Sequence, residues 1–185
     1  MNVTTTDIDL KDLERRVAEY IKENFIDENK ETFPRGVLLA PRSMQFFDVP
    51  AAGAMSPISV EDFDFKKLLE SKAAETFSEM LIRLIKDSGE KNSVIYHRAN
   101  IDRRHFAKIV HRKDYQPGKQ TVLAFAVALK LSFDATQKFL AAAGFTLNKS
   151  SMSDVIVSFF LEHEIFDVNL VNEILYKYNQ PLLGG

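Results

Sequence analysis

Apolar residues recur at helical spacing over most of the chain, and prolines gather where that spacing fails. Leu10, Leu13, Val17, Tyr20, Ile21 and Phe25 share one face of a helix predicted over 7–25. Thr6 is positioned to cap it, with Asp7 and Asp9 in its first turn. Such a stripe must be buried, either on the rest of the chain or on a second copy. From 27 to 62 the period is lost. Pro34, Pro41, Pro50 and Pro57 recur there with Gly36 and Gly53, so no helix runs through. Roughly 35 residues are too many for a simple loop, and the stretch reads as an arm or linker with a candidate short strand at 37–40.

Beyond 62 the pattern is helical. A short helix is predicted over 63–71, and Phe77, Met80, Leu81, Leu84 and Ile85 then form a stripe that Ser88 and Gly89 end. Two short helices, 93–99 and 102–110, follow with almost nothing between them. Tyr115-Gln116-Pro117-Gly118 is a turn. The helix over 120–131 is apolar on nearly every side, which predicts a central position. Another over 133–143 stops at Gly144. Amphipathic helices are expected over 154–162 and 169–178, the latter capped by Asp167. The last residues, Leu182 to Gly185, are expected to fray.

The stretch from Ser93 to Ile109 carries the most information. Two short helices meeting steeply need a small residue at the crossing, and Ala99 supplies it. The first turn residue must tolerate a left-handed backbone, as Asn100 does cheaply. Ile101 plugs the angle and Asp102 caps the second helix. Phe106 and Ile109, three apart, face inward. Arg103, Arg104, His105, Ala107 and Lys108 then line the outer side.

Charge sharpens this picture. The 185 residues carry a net charge of −2, a value that alone argues weakly against nucleic acid. The charge is uneven: 14 acidic and 9 basic residues lie in 1–70, against 8 basic and 2 acidic in 91–119. From 150 onward there are 5 acidic residues and Lys177 alone. A polyanion would respond to the middle stretch rather than the total. Cysteine is absent, which removes disulfides, thiolate metal sites and cysteine nucleophiles together and fits a reducing compartment. The polar, acidic first residues do not read as a secretory signal, and no apolar run approaches the roughly 20 residues of a membrane span. A cytoplasmic protein outside the membrane is expected.

The helix pair and its flanks resemble the XRE family of Cro- and phage-repressor-type helix-turn-helix domains. Met80-Leu81-Ile82-Arg83-Leu84-Ile85 with Gly89 is similar to the family's first helix. Gln116-Pro117-Gly118-Lys119-Gln120-Thr121-Val122-Leu123 resembles its proline-led approach to the fourth, and 127–134 its passage to the fifth. The likeness covers about 65 of the 185 residues, at 77–145. Asn100 and Lys130 stand where the family favours glycine, as does Arg112 after the recognition helix, and the link to Pro117 is one residue longer. The whole chain also resembles a bacterial helix-turn-helix group of no defined activity, through 77–81, 99–103 and 180–184.

These resemblances imply an all-α fold: a lambda-repressor-like five-helix helix-turn-helix domain with an N-terminal helix, an extended arm and two extra C-terminal helices. The parts are 1–62 (helix and Pro-rich arm), 63–148 (helix-turn-helix domain) and 149–185 (C-terminal extension). They imply a DNA-binding transcriptional regulator acting on double-stranded DNA as a homodimer, held by the N-terminal helix or the helices after Ser150. Base edges in the major groove would meet Arg103, Arg104, His105, Ala107 and Lys108. Phosphates would meet Arg98, Arg112, Lys113 and Lys119. The alternative is a protein-interaction or adaptor module of the same fold in a bacterial stress or phage-related system, using the arm or the C-terminal helices. No phosphate loop, nucleophile elbow or zinc signature occurs, so neither an enzyme nor a metal or cofactor is expected.

Overall fold

Eight α-helices and no strand make up residues 9–27, 75–112 and 115–184, which the computed structural model describes. Thr6, the expected strand at 37–40, the expected helix at 63–71 and Lys113 lie outside those residues.

Helix α1 (Leu10–Asn24) is capped by Asp9, whose side chain accepts the Lys11 N–H at 3.1 Å. The expectation of Asp9 inside the helix is thereby corrected. Its stripe of Leu13, Val17 and Ile21 is buried within the same chain. The covering surface is α7 (Met152–Glu162), where Tyr20 meets Phe159 edge-on at 5.4 Å between ring centroids. Arg16 lies 5.7 Å from the centre of the same Phe159 ring, and Lys177 pairs with Glu14. Burial, and then the Glu162 carboxylate, push the Tyr20 hydroxyl above its ordinary pKa.

Helix α2 (Phe77–Asp87) opens with a capping box in which the Thr76 and Glu79 side chains each bond the other's backbone. It buries Phe77, Leu81 and Ile85, with Phe77 tilted against Phe139 of α6 (Phe133–Ala142) at 4.8 Å. Helices α3 (Asn92–Arg98) and α4 (Arg103–His111) follow. Helix α5 (Lys119–Ala128) lies at the centre, with every residue from Thr121 to Ala128 buried, as an element without a polar face requires. Helix α8 (Val168–Lys177), capped by Asp167 as expected, buries Val168, Val171, Ile174 and Leu175. One apolar cluster runs from Leu13 to Leu183 and does not divide at residue 149.

Five helices, α3 and α5 to α8, end in the same device. The residue after the C-cap is left-handed, and the next N–H reaches back to the carbonyl five residues earlier. In α3 this is Asn100 at φ 54°, with the Ile101 N–H on the Tyr96 carbonyl at 2.9 Å. In α5 it is Lys130 at φ 54°, with Leu131 on Ala126 at 3.0 Å, so α5 stops at Ala128 and not at 131 as the apolar run suggests.

The end expected to fray is held. Leu183 is buried at 5 % exposure, and its N–H and carbonyl both bond to Asn172. The apolar pattern of Pro181-Leu182-Leu183 alone did not reveal the polar partner on α8 that retains it.

Candidate nucleic-acid interface

The surface that can meet a polyanion is the outer side of α4. Its N-terminus is set by Asp102, whose Oδ1 accepts the N–H groups of Arg104 at 2.6 Å and His105 at 2.9 Å. Those bonds, the one from His105 foremost, hold the Asp102 carboxyl below its ordinary range. Two side chains seat the helix. Phe106 packs on Tyr96 of α3 at 5.3 Å and on Phe125 of α5 at 6.1 Å, and Ile109 is wholly buried. The Ile109 carbonyl also accepts Ser78 Oγ from α2 at 2.8 Å. The turn before α4 has a buried Ala99, a left-handed Asn100 and a buried Ile101.

With Phe106 and Ile109 inward, Arg103, Arg104 and Lys108 are exposed, joined by His111 and Arg112. Neither Arg103 nor Arg104 has an ion-pair or hydrogen-bond partner for its side chain among the described residues. No acidic residue occurs within α4. Ala107 and His105 are half-buried. The His105 ring is engaged, with Nε2 3.0 Å from the Tyr115 hydroxyl. Lys108 sits over the face of that same tyrosine, Nζ 4.0 Å from the ring centre. Tyr115 thus organises the C-terminal half of the surface. Its position in a turn ahead of Pro117 gave no hint of this.

The remaining cations divide. Arg112 is exposed, with an extended backbone at the end of α4 (φ −106°, ψ 105°), so the usual glycine is not needed there. Arg98 is engaged inside the chain: Nη1 donates to the Ala128 carbonyl at 2.9 Å, and Nη2 bonds both oxygens of Glu90. Lys119 pairs with Asp154, a carboxylate 2 % exposed that also accepts the Asn148 N–H at 2.9 Å. A lone acid inside the apolar run from Met152 to Leu161 is the signal that would have disclosed this pair, because a buried carboxylate requires a counter-charge. Glu90 left no comparable trace. The adjacent cleft of about 490 Å³, lined by Thr76, Ser78, Val110, Tyr115 and Pro117 among others, holds none of the named cations.

No helix among the described residues is long and apolar enough to cross a membrane. No family model, curated protein or solved structure matches the chain.

Proposed function

We propose that the protein is a DNA-binding transcriptional regulator in which α2 to α6 form a lambda-repressor-like domain and α4 reads the major groove. The observation that carries this reading is the outer side of α4, where Arg103 and Arg104 stand exposed in the first turn after the Asp102 cap, their side chains in no ion pair among the described residues. Arginine there reaches the O6 and N7 acceptors of guanine with two parallel bonds, worth ~1–3 kcal/mol against a wrong base. Lys108, drawn over the Tyr115 ring and so assigned to phosphate rather than to base edges, acts with Arg112 on the DNA backbone, and two copies meet on a two-fold operator.

Selection from random duplex DNA at physiological salt tests the proposal. Enrichment of a paired, two-fold site is expected, and Arg103→Ala and Arg104→Ala each lower affinity for it about tenfold or more while thermal unfolding is unchanged. Variants that bind the selected duplex as well as the parent would refute the assignment.

The engagement of Arg98 and Lys119 favours a second reading. With those two cations held internally, the phosphate-binding set is smaller than the charge count suggests, and an adaptor that meets a protein partner through the arm or the C-terminal helices needs none of them. That reading expects weak binding insensitive to sequence, and no enriched site.

A further inference from the structure

The segment 180–184 returns along α8 and ends on the turn between α3 and α4. Asn172 of α8 holds both backbone groups of Leu183: its Oδ1 accepts the N–H at 2.7 Å and its Nδ2 donates to the carbonyl at 3.0 Å. Thr121 of α5 donates through Oγ1 to the Gly184 carbonyl at 3.1 Å. Gly184 has φ +114°, and a Cβ there would lie 2.9 Å from the Asn100 carbonyl oxygen and 3.4 Å from that of Ala99. Only glycine permits this approach. Asn100 is also gripped directly by α8, its Nδ2 donating to Asn169 Oδ1 at 2.9 Å.

The turn therefore has two sets of restraints. One is internal, the Asn100 N–H on the His97 carbonyl and the Ile101 N–H on that of Tyr96. The other is external and comes from Asn169 of α8 and from Gly184 of the segment 180–184, both far away in sequence. Ordering several residues beyond a helix costs backbone entropy, which three hydrogen bonds and a buried leucine offset here. Those contacts fix Leu183 and Gly184, and so press Gly184 against the one residue whose left-handed backbone sets the angle between α3 and α4.

We propose that 180–184 is a strap whose docking sets the attitude of α4. The strap itself rests on the geometry above. Its consequence, that undocking loosens sequence discrimination before it loosens the fold, rests on the DNA-reading function proposed here.

The test uses the full chain and two variants. Asn172→Ala removes two hydrogen bonds and leaves the backbone unchanged, whereas Gly184→Ala presses a methyl group onto the Asn100 carbonyl. Leu182→Ala, at an exposed neighbour, is the control. Amide hydrogen exchange should quicken about tenfold or more at Asn100 and Ile101 in both variants, while Phe125 and Ala126 in α5 keep their protection. Preference for a selected duplex over a random one should fall about tenfold, the value of one base contact. Unchanged exchange at the turn overturns the strap. So does equal quickening at the turn and in α5, which would make the segment an ordinary part of the global fold. Should Gly184→Ala alone disturb α5, Asn172→Ala decides. Should the parent chain select no duplex, the DNA reading fails and exchange alone judges the strap.

Discussion

Among the described residues, four that are not glycine hold left-handed backbones, at Asn100, Lys130, Glu164 and Asn179, and each closes a helix. For an ordinary side chain that conformation costs ~1–2 kcal/mol, and glycine, which escapes it, gives back ~0.5–1 kcal/mol in unfolded-state entropy. Lys130 is exposed and bonds only through its backbone among the described residues, so little opposes the exchange. Lys130→Gly is accordingly expected to stabilise the chain by about 0.5–1 kcal/mol, read as a raised urea midpoint at constant slope. A lowered midpoint would mean that the lysine stem contributes packing beyond its backbone geometry. The same residues mark what could be read in advance. Asn100 could be, because asparagine adopts this conformation cheaply and sat between two short apolar periods. Glu164 could not, since nothing in a charged side chain announces a left-handed turn, and Lys130 was marked only by standing where the resembled family favours glycine, a sign that the apolar run to 131 outweighed when the end of α5 was predicted.

At the scale of elements, periodicity served well wherever burial is one-sided or complete. The stripes of α1 and α2 and the all-apolar α5 follow directly from which faces exclude water. The cation assignments were harder, because a lysine or arginine reads alike whether it faces solvent or a carboxylate thirty residues away. Lys119 is the clearest instance. It ties the start of α5 to Asp154 of α7, and removing one partner of a buried pair leaves the other uncompensated. Asp154→Ala takes the acceptor from the Asn148 N–H and strands a lysine that retains some contact with water, and should cost about 1–3 kcal/mol. Lys119→Gln strands the buried carboxylate instead and should cost about 3 kcal/mol or more. The second variant also separates the two roles of the lysine. If it serves the fold, the dependence of DNA affinity on salt stays as in the parent. A slope smaller by about 0.9 would instead count Lys119 among the phosphate contacts.

The whole molecule bears on how two copies could cooperate. The apolar stripe of α1 was open to burial on this chain or on a second one, and it lies on α7 of the same chain. Helices α7 and α8, which also stood as candidates for holding a partner, turn their apolar residues into the same core. Among the described residues the large apolar side chains left exposed are Ile26, Ile82, Val94, Tyr176 and Leu182, on five separate segments. Exposed apolar residues in that number are normal for a monomer, whereas a stable interface needs roughly 800 Å² from each partner with an apolar centre. Pairing on DNA requires no such interface, because two half-sites one turn apart, about 34 Å, raise the local concentration of one copy near the other. Sedimentation of the free protein at micromolar concentration should therefore give a single-chain species. Two chains should be found together only on a duplex carrying both half-sites, and moving those half-sites apart by about 5 base pairs, half a helical turn, should abolish cooperativity between the copies while each site still binds one. A two-chain species without DNA would overturn this account and direct attention to the outer, polar sides of α1 and α8.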